Sequence, residues 1–143
     1  MKDPYPLDHE RLDVYRLAVE FAAWVGELID DGPLKGRKLS AVKHLDDSSR
    51  SIVNNIAEGN GKRSLPDRCR FLDISRGSAL ECASCLDILV ARKRVSAEQA
   101  AVGKAVLVRI VSMLSKLIER LLGMAVPEQK PRSASSRSRV RRT

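Results

Sequence analysis

Apolar residues recur at three- and four-residue spacing in four stretches of similar length, separated by short runs rich in Gly, Pro and Ser. No alternating strand pattern competes with this period. The first stretch, from about Asp8 to Asp30, places Val14, Ala18, Phe21, Val25, Leu28 and Ile29 on one face, and DDGPLKG from Asp30 to Gly36 stops it. The second, from about Arg37 to Glu58, aligns Val42, Leu45, Ser49, Ile52 and Ile56, with Gly59 predicted as a left-handed C-cap. Ser64 reads as the N-cap of the third, with Pro66 in the first turn and Asp67 near the positive end of the helix dipole. That helix is expected to reach about Arg94. Ser96 opens the fourth with a Ser-x-x-Gln capping-box spacing, and Leu107, Ile110, Val111, Leu114, Leu117, Ile118 and Leu121 carry it to Gly123. The connections are short, so neighbouring helices must run antiparallel. The expected fold is all-α, an antiparallel up-and-down four-helix bundle over residues 1–125.

Composition adds little to this until the charge is located. Aromatics are few (Trp24, Tyr5, Tyr15, Phe21, Phe71), and 31% of the residues are charged, as helical bundles tend to show. No apolar run is long enough to cross a bilayer, and MKDPYPLDHE lacks the apolar centre of a signal peptide, so the cytoplasm is the expected location. Cys69, Cys82 and Cys85 are an odd set without secretory context and read as free thiols. From Pro127 onward there are six basic residues against Glu128 alone, so most of the net charge of +8 lies in the last segment. Residues 126–143 are Pro-, Ser- and Arg-rich with almost nothing to bury, and are expected to form a disordered basic tail.

The third stretch has more apolar surface than one core can use. Leu72, Ala79, Ala83, Leu86 and Val90 share one face, and Phe71, Ile74, Cys85 and Leu89 an adjoining one; the fourth stretch adds Val102, Val106 and Met113 beside its main stripe. Either these helices are central in the core, or the excess meets another subunit. Self-association is the favoured reading.

Candidate chemistry is sparse. Cys82-x-x-Cys85 could join His9 and His44 as zinc ligands, but the pair lies within an apolar helix, where buried structural thiols are the better reading, so no metal or cofactor is expected. EGNGKRS from Glu58 to Ser64 resembles the end of a phosphate-binding loop, yet the earlier glycine and the preceding strand are missing. With no Gly-x-Ser-x-Gly and no suggestive Cys/His pair, the expectation is a protein without a catalytic site. Basic residues are the stronger signal. Arg92, Lys93 and Arg94 cluster at the end of the third helix, and Arg109, Lys116 and Arg120 form one stripe of the fourth. Arg137, Arg139, Arg141 and Arg142 crowd the tail. Such stripes can track phosphates; alternatively they are solvated, or paired with the acidic stripe Asp13, Glu20 and Glu27 of the first helix.

LDVYRLAVEF (Leu12 to Phe21), SIVNNIAEGNGK (Ser51 to Lys62) and RFLDISRGSALE (Arg70 to Glu81) together closely resemble the four-helix-bundle family encoded in intervening sequences of bacterial 23S ribosomal RNA genes. The resemblance covers about residues 8–122. It implies a ring-forming protein, typically a homopentamer, similar to the accessory variability determinant of diversity-generating retroelements, which binds nucleic acid and a reverse transcriptase. The implied function is a non-catalytic, nucleic-acid-associated accessory factor with itself, RNA or DNA, and a reverse transcriptase or other protein as partners. The alternative is a protein-interaction scaffold that never touches nucleic acid. Relatives often carry Arg near Asp46 and Asp47, so these two acids weaken the transfer of RNA binding to that face. The motif residues Asn55, Glu58, Gly59, Arg76, Gly77, Ser78 and Glu81 are expected to serve folding and assembly. Gly77, Ser78 and Ala79 would form a small-residue patch for close helix approach, and Glu81 a buried carboxylate needing a partner such as an Arg.

Overall fold

A computed structural model describes residues 2–125 of the chain. The expected tail, 126–143, lies outside them. Four helices follow in order: α1 (Asp13–Asp30), α2 (Ser40–Asn60), α3 (Leu65–Ala91) and α4 (Ala97–Ala125), with a single 3₁₀ turn, Asp8–Arg11, ahead of α1. Each helix packs on its sequence neighbours and α1 closes against α4, giving the antiparallel up-and-down four-helix bundle.

The signals at the helix starts hold at α3 and α4. Ser64 Oγ accepts from the Asp67 amide at 3.2 Å, with Pro66 in the first turn. Ser96 and Gln99 form a reciprocal capping box, the Gln99 amide donating to Ser96 Oγ at 3.1 Å and the Ser96 amide to Gln99 Oε1 at 3.3 Å. The first helix is not continuous from Asp8: backbone at Leu12 is extended (φ −75, ψ 124) and separates the 3₁₀ turn from α1.

Gly59 is not a left-handed cap. It stays helical and buried, α2 runs on to Asn60, and its C-cap is Gly61 with φ −84. A Cβ at Gly59 would stand 2.8 Å from Phe71 Cβ, so the missing side chain lets α2 and α3 touch. The left-handed positions are elsewhere, at Gly36 (φ 73) in the first connection and at Lys93 (φ 59) after α3. Lys93 occupies the place where a Schellman ending usually has glycine, its amide donating to the Val90 carbonyl and that of Arg94 to the Leu89 carbonyl. This ends α3 at Ala91, three residues before the expected Arg94.

Phe21, Val25, Leu45, Ile52, Ile56, Leu72, Leu86, Leu89, Ile110 and Leu114 are fully buried and fill the centre of the bundle. Leu34, from the first connection, is buried beside them, anchored by its amide to the Leu28 carbonyl at 2.9 Å. No helix among the described residues is long and apolar enough to cross a membrane.

Candidate functional site

Three of the motif residues, Asn55, Gly59 and Ser78, meet along the seam between α2 and α3. The Asn55 side-chain amide donates to the Ser51 carbonyl at 2.8 Å and to Ser51 Oγ at 3.0 Å, and Ser51 Oγ lies 2.9 Å from Ser78 Oγ across the seam. One turn away Ser75 Oγ donates to the Ile52 carbonyl at 2.8 Å. These hydroxyls are therefore satisfied in a chain along the seam, and small side chains hold the two helices close. Arg76 ties α3 to the other side, its Nε donating to Ser115 Oγ of α4 at 2.9 Å. Ser51, Ser75 and Ser115 lie off the apolar stripes named from the sequence, and periodicity cannot show a serine facing a partner on another helix.

Two motif residues sit differently from expectation. A Cβ at Gly77 would meet nothing within 4 Å, so the close approach belongs to Gly59, Ser75 and Ser78 instead. The helical phase explains it: residue 77 falls on the outer side of α3 when Leu72, Ala79 and Leu86 face inward. Glu81 is exposed rather than buried, and its partner is a histidine, with Oε1 3.7 Å from His44 Nδ1. Glu58 has a largely exposed side chain, 3.8 Å from Lys62 Nζ in the next turn.

The two thiols of Cys82-x-x-Cys85 are buried. Cys82 Sγ faces the Leu45 carbonyl at 4.0 Å, and burial pushes its pKa up to about 12, with Cys85 and then Glu81 adding to the effect. Burial also raises the Cys85 thiol, Glu81 contributing. His9 stacks edge-on against Tyr15 at the end of the bundle where α2 finishes, remote from both cysteines. Among the described residues no three His, Cys, Asp or Glu side chains gather to hold a metal. Both folded and unfolded chains keep the Cys82 proton below the ordinary value of 9.0, and as pH rises from there towards 12 the unfolded chain alone gives it up. This thiol therefore withdraws stability across that window. Melting temperature should fall as pH is raised from about 9 towards about 12, and Cys82→Ala should lessen the fall; an undiminished fall in the variant would remove Cys82 as its source.

The candidate phosphate-binding residues divide into three groups. Arg109, Lys116 and Arg120 lie along α4, all three exposed, and among the described residues none has a carboxylate within 4.0 Å. The acidic stripe does not pair with them inside the chain: Asp13 pairs with Arg16 of its own helix, and Glu20 and Glu27 form no ion pair among the described residues. Arg92 and Lys93 are exposed at the end of α3, whereas Arg94 is half-buried with its Nε shielded and unpartnered. Arg137, Arg139, Arg141 and Arg142 lie outside the described residues. Asp46 and Asp47 are both engaged by Arg50, at 3.5 and 2.6 Å.

Beside the basic stripe the surface is apolar. Ala79, Leu80 and Ala83 of α3 and Leu107, Val108 and Val111 of α4 line a groove of about 270 Å³. Leu80 is 50% exposed and Val108 68%; Lys104 and Ser112 add polar atoms to the lining, and Lys104 pairs with Asp87 at 2.5 Å.

The family described as 23S rRNA-intervening sequence protein matches the chain over residues 10–116. The chain belongs to this family. A crystal structure of a protein of unknown function from the S23 ribosomal protein family of Bacteroides thetaiotaomicron VPI-5482 is similar in fold, with a TM-score of 0.67 at 23% identity, over 74% of this chain and 98% of that one. No functionally curated protein matches the chain. The matched range spans α1 to most of α4, so the family region includes the α2–α3 seam and the α3–α4 groove and stops short of Arg120.

Proposed function

We propose that the protein is a non-catalytic accessory factor that assembles into a homo-oligomer, a ring of five copies, and associates with nucleic acid in the cytoplasm. The reading is carried by one observation: α4 presents the cations Arg109, Lys116 and Arg120 without carboxylate partners among the described residues, while its border with α3 is an open apolar groove. An apolar groove lowers its free energy by meeting another apolar surface, and a second copy supplies one. A row of free cations suits phosphates, which release bound counterions when neutralised. The family description, which names sequences intervening in 23S rRNA, agrees with a nucleic-acid setting. The family resemblance adds a reverse transcriptase, or another protein, as a further partner.

The groove also favours a second reading, a scaffold that binds protein alone. A salt series separates the two. Affinity for a labelled RNA should drop steeply with salt, the slope on logarithmic axes being about 0.7 to 0.9 per phosphate neutralised. Absence of binding at low salt, where charge attraction is strongest, leaves the scaffold reading.

A further inference from the structure

The bundle topology brings two connections to one end. α1 and α3 finish there and α2 and α4 begin there, so the α1–α2 connection with its cations lies at the same end as the α3–α4 connection. From Gly32 to Lys43 the chain has Lys35, Arg37, Lys38 and Lys43 and no acid; from Ile88 to Ala97 it has Arg92, Lys93 and Arg94 and no acid. Apart from half-buried Arg94, all of these are exposed, and among the described residues none lies within 4.0 Å of a carboxylate. Asp30, Asp31 and Glu98 flank the cluster but are outnumbered.

The opposite end is also rich in cations and is built differently. There Lys62 pairs with Glu58, Arg70 with Asp67, and Arg68 Nε donates to the Lys62 carbonyl at 2.6 Å, while Lys62 and Arg70 both lie over the Phe71 ring. Those cations already have partners within the fold, and Arg63 beside them is exposed without an ion pair among the described residues. The cations of the first end have none among the described residues.

Two local features add to the contrast. A cleft of about 460 Å³ opens between the end of α1 and the start of α2, with Arg37, Lys38, Ser40 and Lys43 on its wall and one acid, Asp46, which is engaged by Arg50 at 3.5 Å. The first turn of α2 contains no acid and its N-cap, Leu39, supplies no side-chain acceptor, so the positive helix end reinforces the cationic field. Lys93 holds a left-handed backbone that glycine would adopt without strain, so a cation is displayed at a cost to the fold.

We propose that this end of the bundle is a contact surface for the phosphodiester backbone of a nucleic acid, made by Lys35, Arg37, Lys38, Lys43, Arg92 and Lys93. The proposal rests on the nucleic-acid reading above and assigns it a surface distinct from the α4 stripe and the tail. All six are surface side chains, so neutralising them leaves the core untouched.

The test uses the full chain and a labelled hairpin RNA, with a DNA of the same sequence in parallel. Replacing Lys35, Arg37, Lys38 and Lys43 together by Gln should flatten the salt slope by about 3, at 0.7 to 0.9 for each phosphate no longer neutralised, and comparably for RNA and DNA because they share the phosphates. Lys93→Gly should flatten it by about one such increment while keeping or raising the melting temperature, which separates binding from folding. If the wild type binds and the four-Gln variant keeps its affinity and slope, the surface is wrong and the nucleic-acid reading survives through α4 or the tail. A weakening confined to RNA or to DNA overturns backbone recognition. If the wild type binds neither, surface and reading fall together.

Discussion

Gly59→Leu is expected to part α2 from α3 and to lower stability by about 3 kcal/mol, the upper end of what overpacking usually costs. Even a methyl group would stand 2.8 Å from Phe71 Cβ and 3.3 Å from the Arg68 carbonyl, and both belong to the α3 backbone or its first side-chain atom, so neither can swing aside. The seam would have to open, and the Ser51–Ser78 and Ser75–Ile52 hydrogen bonds would open with it. Gly77→Leu is the control. It adds a side chain in open space and replaces glycine by a better helix former, a gain of up to about 1 kcal/mol. Urea denaturation of the two variants should therefore move in opposite directions. Equal stability of Gly59→Leu and wild type would mean that α2 and α3 can separate at Gly59 without penalty, against the tight packing there.

The contrast between these two glycines shows where the sequence was legible and where it was not. Four amphipathic periods, the Ser64 and Ser96 caps and the short connections were enough to reach the bundle, because each is a local signal with a local cause. Gly59 looked like a helix end because glycine followed by Asn60-Gly61 is the usual ending. A close approach of two helices gives the same letter for a non-local reason. The position of Glu81 near apolar residues on the helical wheel points inward, and a small phase difference in α3, whose apolar positions spread over two adjoining faces, moves it to the surface. The candidate site suffered from a different blindness. Arg92 and Lys93 stand out in the sequence because they are adjacent, whereas Lys35, Arg37, Lys38 and Lys43 read only as connection and helix start. They gain meaning when the topology sets them at the same end as Arg92 and Lys93, and when the salt bridges at the other end show that a basic cluster need not be free. Leu34 is the same case in the core: a lone leucine in a Gly-Pro turn has no period to reveal that it is buried.

The other large effect concerns assembly. Replacing Leu80 and Val108 together by Glu should convert the proposed oligomer to a monomer, with light scattering falling from a multiple of 15.8 kDa to about that mass. In the isolated chain both side chains already face water, 50% and 68% exposed, so the substitution removes little intramolecular packing and the helical content and melting profile of the monomer should persist. In an assembly built on the α3–α4 groove the same change puts two carboxylates per copy into an apolar contact, where each unpaired charge costs several kcal/mol. A ring repeats that contact at every interface, so partial disruption is not expected. The pairing of Glu20 and Glu27 with Arg109 and Lys116 of a neighbouring copy offers a competing geometry, in which α1 of one subunit faces α4 of the next. Glu20→Lys with Glu27→Lys tests it, and the two geometries predict opposite results for the two double variants. If Leu80→Glu with Val108→Glu leaves the mass unchanged while the α1 variant dissociates, the charged faces hold the ring; if the wild type itself scatters as 15.8 kDa, the excess apolar surface of α3 and α4 belongs to no copy of this chain, and the scaffold reading takes precedence.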